Sequence, residues 1–155
     1  MKSIISILLV SMTMLFFAFV PNNKSNAIEN KKSIKGEGIQ FMEADWNKAL
    51  AEAKKQNKLI FLDAYASWCG PCKQLKKNTF PDKEAGEYFN NNFINIAIDM
   101  EKGDGPALSE KYSITAYPTL IITDASGQML TFTQGYIKPK QLIEFGKHAV
   151  SQTKK

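Results

Sequence analysis

Lys58-Leu59-Ile60-Phe61-Leu62-Asp63-Ala64-Tyr65-Ala66-Ser67-Trp68-Cys69-Gly70-Pro71-Cys72-Lys73 is the stretch whose reading decides the fold. Residues 58–64 are apolar on both faces apart from Asp63, as a parallel strand buried between helices would be. A helix is expected to open directly afterwards, with Pro71 in its first turn, where the missing N–H costs nothing. Both cysteines of the chain stand at this junction, two residues apart. Such a pair has three common meanings: a redox dithiol, half of a metal site, or a structural staple.

Ligand count argues against metal. Structural zinc takes four Cys or His ligands and catalytic zinc usually three protein ligands. The sole histidine, His148, lies far along the chain on an expected last helix. A copper site of two thiolates and a nearby imidazole stays open, and no metal ligand is assigned. Energetics argue against a staple, because stabilisation grows with the loop closed and this loop is very short. A pair so placed is suited to opening and closing. The thiolate is the nucleophile, and a helix start offers it unpaired N–H groups and the positive end of the macrodipole. Cys69 is therefore read as the attacking sulfur and Cys72, one turn deeper, as the resolving one. Lys73, beside Lys76 and Lys77, reads as an exposed helix lysine.

The segment Asp63–Lys73 resembles the active-site segment of the thioredoxin family. Ala116-Tyr117-Pro118-Thr119 resembles that family's cis-proline loop, and Gly135 matches a glycine flanking its site. The resemblance covers residues 41 to 150. Asn78-Thr79-Phe80-Pro81-Asp82 and Ile98-Asp99-Met100-Glu101-Lys102-Gly103 are similar to the C-terminal thioredoxin domains of membrane disulfide-interchange reductases and to single-domain periplasmic proteins related to them. This resemblance implies a thioredoxin fold, an α/β three-layer α/β/α sandwich around a mixed sheet. It also implies a redox-active Cys69–Cys72 disulfide with no further cofactor. Asp63 corresponds to a buried acid behind the second cysteine, trading a proton with Cys72 because desolvation raises its pKa. Without the resemblance, Asp63 reads as a strand-end acid hydrogen-bonded to a loop. The position where many thioredoxins carry a lysine helping to set that acid's charge is Asn95. The substrate rim implied comprises Trp68, Gly70, Pro71, Tyr117, Pro118, Thr119 and Gly135, with the Tyr117 backbone pairing to an extended substrate by strand addition. Pro118, lacking an N–H or a charge, would also keep metals off the thiolates.

Residues 1–27 read as a secretory signal peptide: Lys2, an apolar run from Ile4 to Val20, Pro21, then Ser25-Asn26-Ala27 as a cleavage site. The rival reading is an uncleaved anchor, since the run is at the short end for a membrane span. Removal would leave 128 of the 155 residues, enough for one domain, and lower the formal charge from +5 to +3 with Lys2 and Lys24. Residues 28–40 form a polar lead-in and 41–155 the domain. There is no arginine, and the lysines are scattered among acids. The clustered basic face of a nucleic-acid binder is absent. Exported cysteines normally meet an oxidising compartment.

Within the domain, Ile39-Gln40-Phe41 is a possible short edge strand. Helices are expected over 45–56, with Trp46 in the core, over 70–79, from the Asp82 cap to about Phe89, from Pro106 to about Tyr112, and over 139–152. The Asn90-Asn91-Asn92 cluster would end the third segment. Strands are expected over 58–64, 93–99, 119–123 and 128–133, the last two joined by the Ala125-Ser126-Gly127 turn.

Taken together, the expectation is a monomeric thiol-disulfide oxidoreductase of the periplasm or cell exterior. It would reduce disulfide-containing proteins and be recharged by a membrane electron donor. The Gly-Pro pair between the cysteines goes, in the family, with a reducing potential. Oxidase or isomerase is the nearest alternative. A non-enzymatic thioredoxin-fold binding module or a thiol metal chaperone is the other class.

Overall fold

A computed structural model describes residues 38–153. The leader at 1–27 and the lead-in up to residue 37 lie outside the described residues. Ten elements follow in order: α1 (Trp46–Gln56), β1 (Leu59–Tyr65), α2 (Gly70–Gln74), a π-helical turn (Leu75–Thr79), α3 (Lys83–Asn92), β2 (Phe93–Asp99), α4 (Gly105–Lys111), β3 (Thr119–Thr123), β4 (Met129–Gln134) and α5 (Pro139–Gln152).

The sheet runs β2-β1-β3-β4. β1 and β2 are parallel, while β3 pairs antiparallel with both β1 and β4. Alternation along the strands sends side chains to two separate cores. Ile60, Leu62, Ala64, Ile94, Ile96, Ile98 and Ile121 meet α1 and α4 through Trp46, Ala49, Ala53, Leu108 and Tyr112. Phe61, Phe93, Leu120 and Ile122 meet Leu75, Ala85, Phe89, Leu142 and Ala149 on the other face. The result is the expected α/β/α sandwich, with β1 inside it and buried throughout its middle. Trp46 is a core residue, edge-on to Tyr112 at 6.1 Å.

Capping follows elementary rules. Asp45 accepts from the Lys48 N–H to open α1 and Asp82 from the Ala85 N–H to open α3, each at 2.9 Å. Three expectations need correction. Residues 39–41 form no strand: the segment makes a single bridge, Met42 to Ile96. Its other backbone donors go elsewhere, Ile39 N–H to Phe80 O and Gln40 N–H to Asn90 Oδ1. The lead-in does not extend to residue 40, because Ile39 is buried and a Cβ on Gly86 would collide with the Gly38 backbone. Third, the Asn90-Asn91-Asn92 cluster does not stop α3 at Phe89 but forms its last turn. Asn91 and Asn92 donate their side-chain amides to the carbonyls of Glu87 and Tyr88, each at 2.8 Å, prolonging the helix they were expected to end.

Candidate active site

Helix α2 begins at the sulfur. Cys69 is its N-cap, in extended conformation, and its Sγ accepts from the Cys72 N–H at 3.1 Å. Pro71 occupies the first turn. Cys69 and Cys72 are joined as a disulfide with Cα atoms 5.4 Å apart. The pair packs with Ala66, under Tyr65 and Tyr117. Cys69 is 3 % exposed and Cys72 1 %, so Cys69 is more recessed than its place at a helix start suggests. Around it Trp68, Gly70 and Pro71 are open to solvent, Trp68 at 65 %.

The facing loop is built from β3. The Tyr117–Pro118 peptide is cis. Pro118 O accepts the Gly135 N–H at 2.8 Å, and Gly135 holds φ +82°, a left-handed conformation that glycine adopts without strain. Thr119, expected on the substrate rim, is instead turned inward: it is buried, and its hydroxyl donates to Ala116 O at 2.7 Å. It braces the loop from behind. The sheet ladder begins at Thr119, so the Tyr117 backbone lies just outside it.

One side chain given no role from the sequence, Glu101, completes the rim. Glu101 Oε1 accepts from the Trp68 indole N–H at 2.9 Å. The Trp68 ring stands edge-on to Tyr117, centroids 5.9 Å apart. An acid in the loop after β2 thus fixes the orientation of the largest exposed aromatic beside the disulfide. Nothing in its spacing announces this, because the contact crosses 33 residues of chain.

Asp63 sits in the middle of β1, between Leu120 of β3 and Ala97 of β2. Alternation puts its side chain on the same face as Phe61, which packs with Leu75, and Tyr65, which packs against the cysteines. It therefore points at the helix that carries Cys72. Its carboxyl is fully buried and neither oxygen has a hydrogen-bond partner. The strand-end acid bonded to a loop is thereby ruled out. Burial pushes its pKa up to about 7, against the lowering pull of the Lys76 ammonium. Asn95 does not reach toward this acid; it donates to Gln40 O at 3.3 Å and Asn90 Oδ1 at 3.1 Å at the sheet edge.

Among the described residues, no group of three or more His, Cys, Asp or Glu gathers as metal ligands would. His148 is on α5, beside Gln152. No helix among them is long and apolar enough to cross a membrane.

A mixed sheet between two helical layers, with a two-cysteine disulfide at the mouth of a helix and a proline loop facing it, is a thioredoxin fold. The chain belongs to the family of thioredoxin-like domains, which matches residues 46–149. It is similar to a candidate disulphide-isomerase from Bacteroides thetaiotaomicron, at 40% identity and TM-score 0.66, over 74% of this chain and 95% of that one. The C-terminal domain of Neisseria meningitidis DsbD in its reduced form matches at 25% identity and TM-score 0.59, over 70% of this chain and 99% of that domain. The thiol:disulfide interchange protein DsbD of Pseudoalteromonas atlantica is 32% identical over 88 residues, 56% of this chain. The match spans 15% of that relative's length.

Proposed function

We propose that this protein is an exported thiol-disulfide oxidoreductase that reduces disulfides in other proteins. The observation that carries the reading is a paired Cys69–Cys72 at a helix start, ringed by exposed Trp68, Gly70 and Pro71 and backed by a buried acid. Kinship with DsbD and with a candidate disulphide-isomerase supports it.

In the reduced protein, Cys69 as thiolate attacks one sulfur of a substrate disulfide. A Cys69–substrate bond forms, and the other substrate sulfur leaves as a thiolate that takes up a proton. Asp63 as carboxylate then accepts the Cys72 proton. The Cys72 thiolate attacks Cys69 Sγ, closing the 69–72 disulfide and releasing the second substrate sulfur. Two electrons have moved from the protein to the substrate. The Cys72 N–H on Cys69 Sγ stabilises the sulfur while it carries charge. The Tyr117 backbone, outside the ladder, is placed to pair with an extended substrate segment.

Export rests on the apolar leader at residues 1–27, and recharging by a membrane dithiol donor follows from working in an oxidising compartment. Substrates are disulfide-containing proteins, and the protein acts as a monomer without cofactor or nucleic acid. Reduction of insulin disulfides by the purified domain tests the activity. Turnover that vanishes in Cys69→Ser supports it; no turnover, or turnover surviving the substitution, overturns it. Equilibration against a glutathione series tests direction, since about 30 mV corresponds to about 1.4 kcal/mol. Isomerase is the second reading, favoured by the 40% identical Bacteroides protein, and reactivation of a protein with scrambled disulfides would bring it forward.

A further inference from the structure

Asp63 is sealed from solvent by its own residue's packing, yet it forms the floor of a pocket. That pocket, about 280 Å³, is walled by Ile39, Phe41, Phe80, Pro81 and Ala97, with Lys76 at its edge. Ala97 is the β2 residue paired with Asp63, and its small side chain leaves the space open. The wall is almost wholly apolar. The acid faces it with both carboxyl oxygens unpartnered.

Charge reaches this pocket from a single side chain. Lys76 stands four residues beyond Cys72, in the π-helical turn that continues the active-site helix. The ammonium is 3.4 Å from the centroid of the Tyr65 ring, close enough for a cation–π contact. Tyr65 follows Asp63 by two residues in β1 and points to the same side. Lys76 thus touches the Tyr65 ring and lines the same pocket as Asp63. The remaining elements around Asp63 bring no charge: Leu120 comes from β3, Ala97 from β2, and Phe41 and Phe80 from the pocket wall. The titratable group beside it on that face is Tyr65, on its own strand, which packs against the Cys69–Cys72 disulfide.

We propose that Lys76, seated over Tyr65 at the edge of the pocket that ends on Asp63, is a positioning residue that governs when Asp63 holds its proton. Asn95, on the neighbouring strand, is turned to the sheet edge and brings no charge to the acid. The consequence for the reaction rests on the oxidoreductase reading above. Asp63 must be ionised to take the Cys72 proton, and a fixed cation nearby keeps part of the population ionised near neutrality. Lys76 stands on the turn directly continuous with the helix that bears Cys72. The π-helical turn, where the Phe80 N–H reaches Leu75 O at 2.9 Å, is the segment that carries Lys76.

The carboxyl can be read without any turnover. In the oxidised protein neither cysteine titrates, so carbon-13 NMR of labelled aspartate, with the Asp63 signal assigned by its loss in Asp63→Asn, follows that carboxyl free of any thiol titration. Lys76→Met is expected to move its midpoint upward by about half a pH unit or more, about threefold in the ratio of protonated to ionised acid. Lys76→Arg is expected to stay with the parent protein, and so is Lys77→Met, which removes an equal charge one residue on. A Lys76→Met midpoint that coincides with the parent's overturns the proposal. So does an equal shift in Lys77→Met, which would make it a matter of net charge. In the reduced protein, the acid limb of the pH–rate profile is expected to move with the carboxyl; a limb that stays put while the carboxyl moves overturns the role in the reaction. Failure of the oxidoreductase reading would appear separately, as absence of Cys69-dependent turnover in the parent protein.

Discussion

Replacing Asp63 with asparagine keeps the shape of a buried side chain and removes its titration. The folded acid is held at about 7 by desolvation against an ordinary value of 3.8. Between those two values the folded protein holds a proton that the unfolded chain has released. Stability therefore falls as pH rises through this window, by about 1.4 kcal/mol per unit and about 4 kcal/mol in all. Above the window the loss is complete; below it the acid is neutral in both states and contributes none. Asp63→Asn leaves a buried amide unpartnered, a cost of about 1–3 kcal/mol that does not vary with pH. The slope is therefore the diagnostic quantity. Urea unfolding of the oxidised protein at about pH 4 and about pH 8 is expected to show the variant gaining on the parent by about 3–4 kcal/mol between the two conditions. A gain that is the same at both pH values would refute the argument, because it would mean that Asp63 does not carry a displaced proton in the folded state.

Other expected outcomes concern the rim and the core. Glu101→Ala releases the Trp68 indole, a bond of about 1 kcal/mol, and should raise KM for a protein disulfide several-fold with kcat little changed, read by steady-state kinetics. Gly135→Ala places a side chain at φ +82° and should cost about 1–2 kcal/mol in urea unfolding, since nothing else crowds the site. Phe61→Ala empties the centre of one core, where the ring lies 4.7 Å from Phe89, and should cost about 3–5 kcal/mol by the same measurement.

The parts of this fold that were legible share a cause: a residue type that has few other reasons to be where it is. Two cysteines at a strand–helix junction are such a case; the buried acid of β1 was legible only through the family resemblance, since its residues alone read as a strand-end acid bonded to a loop. Segments misread are those where local and tertiary demands compete. Ile39-Gln40-Phe41 has the composition of a strand, but the backbone groups it meets belong to Phe80 and Asn90, so it becomes a strap across the sheet edge. The asparagine run has the composition of a helix stop, yet its amides reach back one turn and extend α3. Thr119 looked like a rim residue because it follows Pro118; alternation along β3 turns it inward. Glu101 and Lys76 were illegible for a simpler reason. An exposed acid and an exposed lysine look alike wherever they occur, and their partners, Trp68 and Tyr65, are brought near only by folding.

The recess that holds Cys69 also acts as an aperture. Cys69, a residue 3 % exposed, shows little of itself to an incoming disulfide, while Trp68 stands open next to it with its ring edge-on to Tyr117. A cystine held inside a rigid globule would be harder to bring to so recessed a residue than one on a loosened or extended strand. On the proposed function, the recess would favour client bridges on segments of chain that can be drawn out toward it.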